Sequence, residues 1–335
     1  MDSTNQYVRF TTDAPSVHFT YQTQQPCKGL WHMPTSGACY LDLYAFDITV
    51  ASWRHVGPIG VGFGGDPGGS PFYDLTAAKA LPSAYTGTNT TYLIYLPVRN
   101  TLVDDSGAVG VPAGHYLAGT AATVAGGDAT AAAGDTAPQL RGGKGQIVWY
   151  GTSIQQGGVA SRAGNLYDAI IGRRLSREVL NFGFAGNGHE DIGVAKWLVT
   201  LDAAVIVLDC LPNMQAATVA AKTVPLVKYL RANGHATTPI VMAEIPPTCE
   251  SNWFNTAKGL AKNAAMNAAL HLAYENLTAS GDTNLHYVHG SQILAGEEGE
   301  GAFVNPTVGG THPADLGQYD MADFYSKFLP TVIKG

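Results

Sequence analysis

The sequence is short of charge. Its 335 residues hold only 19 Lys and Arg and 26 Asp and Glu, 13% of the chain, roughly half the usual quarter. The net charge is −7, and no basic cluster exists beyond Arg173, Arg174 and Arg177. That excludes an ordinary duplex nucleic-acid binder, since the trio has the spacing of one solvated helix face. Long apolar runs are also missing, and none approaches the ~18 residues of a membrane span. Cysteine is scarce: Cys27, Cys39, Cys210 and Cys249 are too few to staple a chain of this length, although Cys27 and Cys39 stand near enough to pair. The opening Met-Asp-Ser-Thr-Asn-Gln lacks the basic-then-apolar pattern of a leader. Two compartments stay open: cytoplasmic, or extracellular or periplasmic with a leader removed.

What is plentiful is apolar residue, 45%, and glycine, 40 of 335. The length suits two domains, each with its own core. The first 120 residues carry short β-type runs between Gly and Pro. Examples are Ser16–Tyr21, Tyr40–Tyr44 and Thr91–Leu96, the last alternating as a half-buried strand does. No helix of ten residues is expected there, and the pattern reads as a β-sandwich. Residues 121–145 turn to Ala, Gly, Thr and Asp and read as a linker or long loop. The expected division is 1–140 and 141–335.

After Gly145 the rhythm becomes strand, then helix. Strands are expected at Gln146–Tyr150, Val179–Phe182, Ala204–Leu208, Ile240–Ile245 and Leu285–Val288. Helices are expected at Gly164–Leu175, Val194–Leu201, Val219–Ala232, Ala257–Leu277 and Pro313–Phe328. This alternation specifies an α/β domain, a parallel sheet with helices on both faces. Ligands of such sheets bind where the strands deliver their C-terminal ends.

Chemistry-bearing residues stand at those ends. Gly151-Thr152-Ser153 follows the first strand and places a serine on a strand-to-helix turn, its N–H at a helix N-terminus. Gly183-Phe184-Ala185-Gly186 follows the second, Asp209-Cys210-Leu211-Pro212-Asn213 the third, and Gly310-Thr311-His312-Pro313 precedes the closing helix. Alone, each block is an ordinary turn or cap. Together they offer a nucleophile (Ser153), a general base (His312) and three oxyanion donors: the N–H groups of Ser153 and Gly186 and the Asn213 amide.

The four blocks, in this order, resemble those of the SGNH (GDSL-type) hydrolases. The likeness extends to a subgroup with Tyr150–Gly158, Asp209–Met214 and His312–Gly317 in nearly the same words. Members of that subgroup often carry an N-terminal β-sandwich marked Gly-x-Asp-Leu-Tyr; here Leu41-Asp42-Leu43-Tyr44 stands with Tyr40 in place of the Gly. The resemblance implies a three-layer, flavodoxin-like hydrolase domain after a jelly-roll-like sandwich. It implies hydrolysis of small acyl esters, commonly O-acetyl groups on carbohydrates, with no metal and no cofactor. The expected partner is a small-molecule or carbohydrate ester; oligomeric state stays open.

One departure stands out. The family carries an Asp three residues before the His, where this chain has Gly309. Either a backbone carbonyl orients the imidazole, the reading favoured here, or another carboxylate does (Glu298, Glu300 or Asp315), or the protein is a weak or inactive hydrolase that still binds carbohydrate. Asp315 reads more simply as a helix-capping residue. A lipase or thioesterase of the same family is the further alternative. Glu190 and Asp209 are possible substrate-binding residues. His286 and His289 fall on opposite faces of a strand, so a shared metal is not expected. Trp31 and Trp53 offer stacking surfaces for sugar rings, or core.

Overall fold

The computed structural model describes residues 4–24, 29, 32–60, 73–81, 87–102, 107–120, 137, 140, 145–246, 256–294 and 306–333. The chain divides into two compact units. The first is Met1–Gln139 with Ala160–Leu166; the second is Leu140–Val159 with Tyr167–Gly335.

The first unit is a β-sandwich. Its strands are β1 (Tyr7–Thr12), β2 (Ser16–Thr23), β3 (Leu41–Asp47), β4 (Ser52–Ile59), β5 (Tyr73–Ala80), β6 (Thr90–Tyr95), β7 (Ala108–Gly110) and β8 (Leu117–Thr120). A short helix, α1 (Thr35–Ala38), precedes β3. One sheet runs β4-β3-β6-β1-β8 and the other β5-β2-β7, all pairings antiparallel. Alternate residues of both sheets fill one core: Phe10 from β1, Val17, Phe19 and Tyr21 from β2, Leu41 and Leu43 from β3, Tyr92 and Ile94 from β6. That period of two is what a strand buried on one face needs. β6 departs from its expected half-burial and is buried throughout. It is central, between β3 and β1, and its outward Tyr95 packs on Tyr7 and Tyr44.

This unit also holds a buried carboxylate. Asp42 has no solvent exposure. It accepts hydrogen bonds from His55 Nε2 at 2.8 Å, Arg162 Nη1 at 2.9 Å and the Gly164 N–H at 2.9 Å. Arg162 also donates to the Tyr44 hydroxyl at 2.8 Å. The Asp-Leu-Tyr triplet thus grips the segment Ala160–Leu166. Trp53 lies edge-on to Phe46 with the Arg9 guanidinium over its ring. Cys27, with its pairing to Cys39, and Trp31 lie outside the described residues, as does all of 121–145 except Ala137, Leu140 and Gly145.

The second unit is the α/β domain. Its strands are β9 (Gln146–Gly151), β10 (Val179–Gly183), β11 (Ala203–Asp209), β12 (Ile240–Ala243), β13 (Leu285–Val288) and the small pair β14 (Thr307–Val308) and β15 (His312–Pro313). Its helices are α2 (Tyr167–Leu175), α3 (Ile192–Leu198), α4 (Ala216–Ala232), α5 (Thr256–Ala279), α6 (Gly290–Ile293) and α7 (Asp315–Val332). The main sheet is parallel with order β10-β9-β11-β12-β13, which is the flavodoxin-like 2-1-3-4-5. β9 and β12 are buried along their whole length, as strands covered on both faces must be. α2 packs on α7, and α4 packs on α3 and α5. Trp149 of β9, Tyr167 of α2 and Tyr325 of α7 form one aromatic cluster between sheet and helices. Helix ends shift from expectation: α2 starts at Tyr167, after a 3₁₀ turn at Ala163–Asn165. The order of the sheet reverses between β9 and β11, which is where such folds bind ligands.

Candidate active site

β9 ends at Gly151, and the chain then turns rather than entering a helix. The Thr152 hydroxyl accepts the Ile154 N–H at 3.2 Å, and Gly158 N–H reaches back to the Ser153 carbonyl at 3.1 Å. No α-helix begins until Tyr167. This corrects the expected helix N-terminus at Ser153: Gly157, with φ 82°, breaks the first turn before it can propagate.

The loop after β10 is tied to β9 by the Phe184 N–H on the Gly151 carbonyl at 3.1 Å, and it turns at 184–187 with Asn187 N–H on Phe184 O at 3.0 Å. Gly186 is the third residue of that turn, at φ 71°. A side chain there would meet no neighbouring atom, so the backbone angle, not space, requires glycine. After β11, a 3₁₀ turn at Leu211–Asn213 presents Asn213. Its Oδ1 accepts the Gly188 N–H at 3.2 Å. Because a backbone N–H can only donate, this bond fixes which end of the amide is oxygen and leaves Nδ2 as a donor. Among the described residues, the N–H groups of Ser153 and Gly186 have no acceptor.

His312 arrives on the other strand of a hairpin. β14 and β15 pair antiparallel with Val308 opposite His312. Gly309 and Gly310 turn the chain at φ 66° and 80°, a left-handed pair that side chains disfavour. This turn occupies the position where the resemblance leads to the expectation of an Asp. The hairpin sets His312 Nε2 at 2.7 Å from Ser153 Oγ, across 159 residues of sequence. Of the carboxylates weighed for orienting the imidazole, Asp315 is the first residue of α7, with Ala314 rather than Asp315 at the cap position. Glu298 and Glu300 lie outside the described residues.

Glu190 and Asp209 are both buried. Glu190, at φ 54°, accepts from the Thr223 hydroxyl at 2.6 Å through Oε2, while its Oε1 is buried with no hydrogen-bond partner. Burial pushes its carboxyl up to about 7. Burial also pushes Asp209, at the end of β11, up to about 7. Both carboxylates therefore stand inside the protein wall rather than projecting freely. His289 caps α6 and lies 3.3 Å from Glu244. Among the described residues no three His, Cys, Asp or Glu side chains converge as a metal site, and no helix is long and apolar enough to cross a membrane.

Sequence reasoning missed a polar cluster beneath the nucleophile turn. Asp168 of α2 is fully buried and accepts from Asn181 Nδ2, Gln155 Nε2 and the Ala169 N–H. Burial pushes its carboxyl up to about 7. Asn181 also holds the Gln155 carbonyl at 2.6 Å. The Tyr167 hydroxyl donates to Gln155, and Gln318 of α7 holds the Tyr167 N–H at 2.9 Å. The available signal was weak: five residues from the nucleophile turn, α2, β10 and α7, which no motif joins into one set.

Residues 144–330, more than half of the chain, match the GDSL-like lipase/acylhydrolase family. The chain belongs to that family. It is a hydrolase of the SGNH type, and residues 1–116 match the GxDLY domain found at the N-terminus of SGNH-hydrolase-type esterases. A Bacteroides ovatus protein described as a GDSL-like lipase superposes with TM-score 0.78 at 28% identity, over 99% of this chain and 85% of that one. The salicylyl-acyltransferase SsfX3 of a tetracycline biosynthetic pathway gives 0.69 at 20% identity, over 98% and 83%. An active-site mutant of a family two carbohydrate esterase from Clostridium thermocellum gives 0.57 at 13%, over 98% and 92%. The last two are likenesses of fold. No curated protein matches the sequence. Membership of this family supports esterase or acylhydrolase activity.

Proposed function

We propose that this SGNH hydrolase is a serine esterase of small acyl esters, with O-acetyl groups on carbohydrates as its substrate class. The observation that carries the proposal is the 2.7 Å contact between Ser153 Oγ and His312 Nε2. For the Ser153 hydroxyl to donate in that contact, Nε2 must be the unprotonated ring nitrogen and Nδ1 must carry the N–H.

The steps follow. Ser153 Oγ attacks the acyl carbonyl as its proton passes to His312 Nε2. The carbonyl π-pair moves to oxygen, and this oxyanion takes hydrogen bonds from the Ser153 N–H, the Gly186 N–H and Asn213 Nδ2. The oxyanion collapses, the alkoxide leaves with the proton from His312, and an acyl group remains on Ser153. Water then attacks with His312 again as base, releasing the acid and restoring the serine. The acetyl size and the carbohydrate leaving group rest on the family resemblance.

The test is p-nitrophenyl acetate turnover by the wild type and by Ser153→Ala, with octanoate as a second chain length. The proposal expects turnover that the substitution abolishes, and acetate well ahead of octanoate. Equal rates in the two proteins would remove the serine mechanism, and octanoate ahead of acetate would favour a lipase. Gly309 supports a second reading, a carbohydrate-binding protein with little or no hydrolysis. It expects no turnover by the wild type and retained binding of acetylated oligosaccharide.

A further inference from the structure

The polar cluster beneath Ser153 does not end there. Gln318 is completely buried in α7. Its Oε1 accepts the Tyr167 N–H at 2.9 Å, and its Nε2 donates to the Pro313 carbonyl at 3.2 Å. Pro313 is bonded directly to His312. Tyr167 opens α2, so its N–H is one of the helix's orphan donors, and its hydroxyl continues to Gln155, two residues beyond Ser153. Tyr167 thus bonds through its hydroxyl to Gln155 of the nucleophile turn and through its N–H to Gln318, which in turn bonds to the strand carrying the imidazole.

We propose that Gln318 is a positioning residue: its amide ties β15 to α2 and so holds His312 at reacting distance from Ser153. This rests on the Ser153–His312 reading above. The chemistry of the amide makes it specific. One end must accept from an N–H while the other donates to a C=O, and both partners are buried backbone groups. A carboxylate satisfies the first and repels the second. A thioether of similar size satisfies neither. The tie matters because the hairpin carrying His312 is only two residues per strand and turns on two glycines. A misplacement of the base by about 1 Å is enough to cost roughly 10²-fold in rate.

The experiment measures kcat and KM for p-nitrophenyl acetate in Gln318→Met, Gln318→Glu and Ser153→Ala, alongside thermal melts. Gln318→Met is expected to lower kcat roughly tenfold to a hundredfold per folded molecule, with KM within about twofold. Gln318→Glu is expected to recover toward the wild type as pH falls from 8 to 6, because a protonated carboxyl again donates to Pro313. That acid rescue of the kcat ratio is something a purely structural role would not give. If Gln318→Met does not fold, the Gln318→Glu ratio alone decides. A Gln318→Met enzyme with kcat within threefold of wild type, or a Gln318→Glu ratio flat with pH, overturns the proposal while Ser153→Ala stays inactive. Full activity in Ser153→Ala would overturn the underlying serine reading instead.

Discussion

The two units bury carboxylates in opposite ways. In the sandwich, Asp42 meets a guanidinium, an imidazole and a backbone N–H, so a buried charge is answered from three directions. In the α/β unit, Asp168, Glu190 and Asp209 are buried with no cation bonded to them among the described residues, and burial pushes each up to about 7. Near the switch point other polar groups are left open as well: the N–H groups of Ser153 and Gly186 have no acceptor among the described residues. On the proposed mechanism the difference follows from the task. A clasp is most stable when every donor and acceptor is matched. A site that must stabilise charge appearing only during reaction keeps donors aimed at empty space. The Asp42 clasp is matched at rest; on the proposed mechanism the site around Ser153 is arranged for a state it visits briefly.

The sharpest break of this contrast is loss of the reacting pair. Ser153→Ala and His312→Ala are each expected to lower kcat by about 10⁴-fold or more, with melting temperatures near wild type, read by ester turnover and calorimetry. Asp42→Ala does the reverse. It takes away the carboxylate that Arg162 and the Gly164 N–H bond to and should lower stability by about 3 kcal/mol, measured by urea denaturation. The Asp42→Ala/Arg162→Ala double variant should be less unstable than the sum of the single ones; additivity would mean that the clasp contributes nothing as a pair. Asn213→Ala removes one oxyanion donor and should lower kcat by roughly 10²–10³-fold with little change in KM.

The smallest effect concerns Glu190. Its folded carboxyl titrates at about 7 against an ordinary 4.5. The folded state therefore binds the proton more tightly than the unfolded one, and stability falls as pH rises between those values. Glu190→Gln removes that dependence. Its melting temperature relative to wild type should climb from pH 4.5 to about 7 and level off above, a gain on the order of 3 kcal/mol at most. A difference that is flat with pH would show that Glu190 is ionised in the folded protein at the same pH as in the unfolded one.

Much of the fold was legible because the physics is local. Ala204–Leu208 is apolar without interruption, short and rich in β-branched residues, which is how a strand covered on both faces reads. The site blocks were legible for a related reason: strands of a parallel sheet deliver their ends to one edge, so the residues just after them were the ones to inspect. Other features depend on distant partners. Asp42 stands 120 residues from Arg162, and nothing near Leu41-Asp42-Leu43 announces a cation. Asp168 and Gln318 sit on helices where polar residues ordinarily face water, so their burial emerges only when α2 and α7 pack together. The common strand-to-helix rhythm predicts a helix turn at Ser153, and Gly157 at φ 82° overrides it. The alternation of β6 predicts half-burial, whereas side chains of the flanking strands, Tyr7 and Tyr44, cover its outward Tyr95.

The central claim is that Ser153 is a nucleophile activated by His312. It is tested most directly by labelling the wild type and His312→Ala with a fluorophosphonate and mapping the adduct by peptide mass spectrometry. The account predicts one adduct, on Ser153, forming at least about 10²-fold more slowly in the variant. An adduct on a different residue, or equal labelling rates in the two proteins, would contradict it.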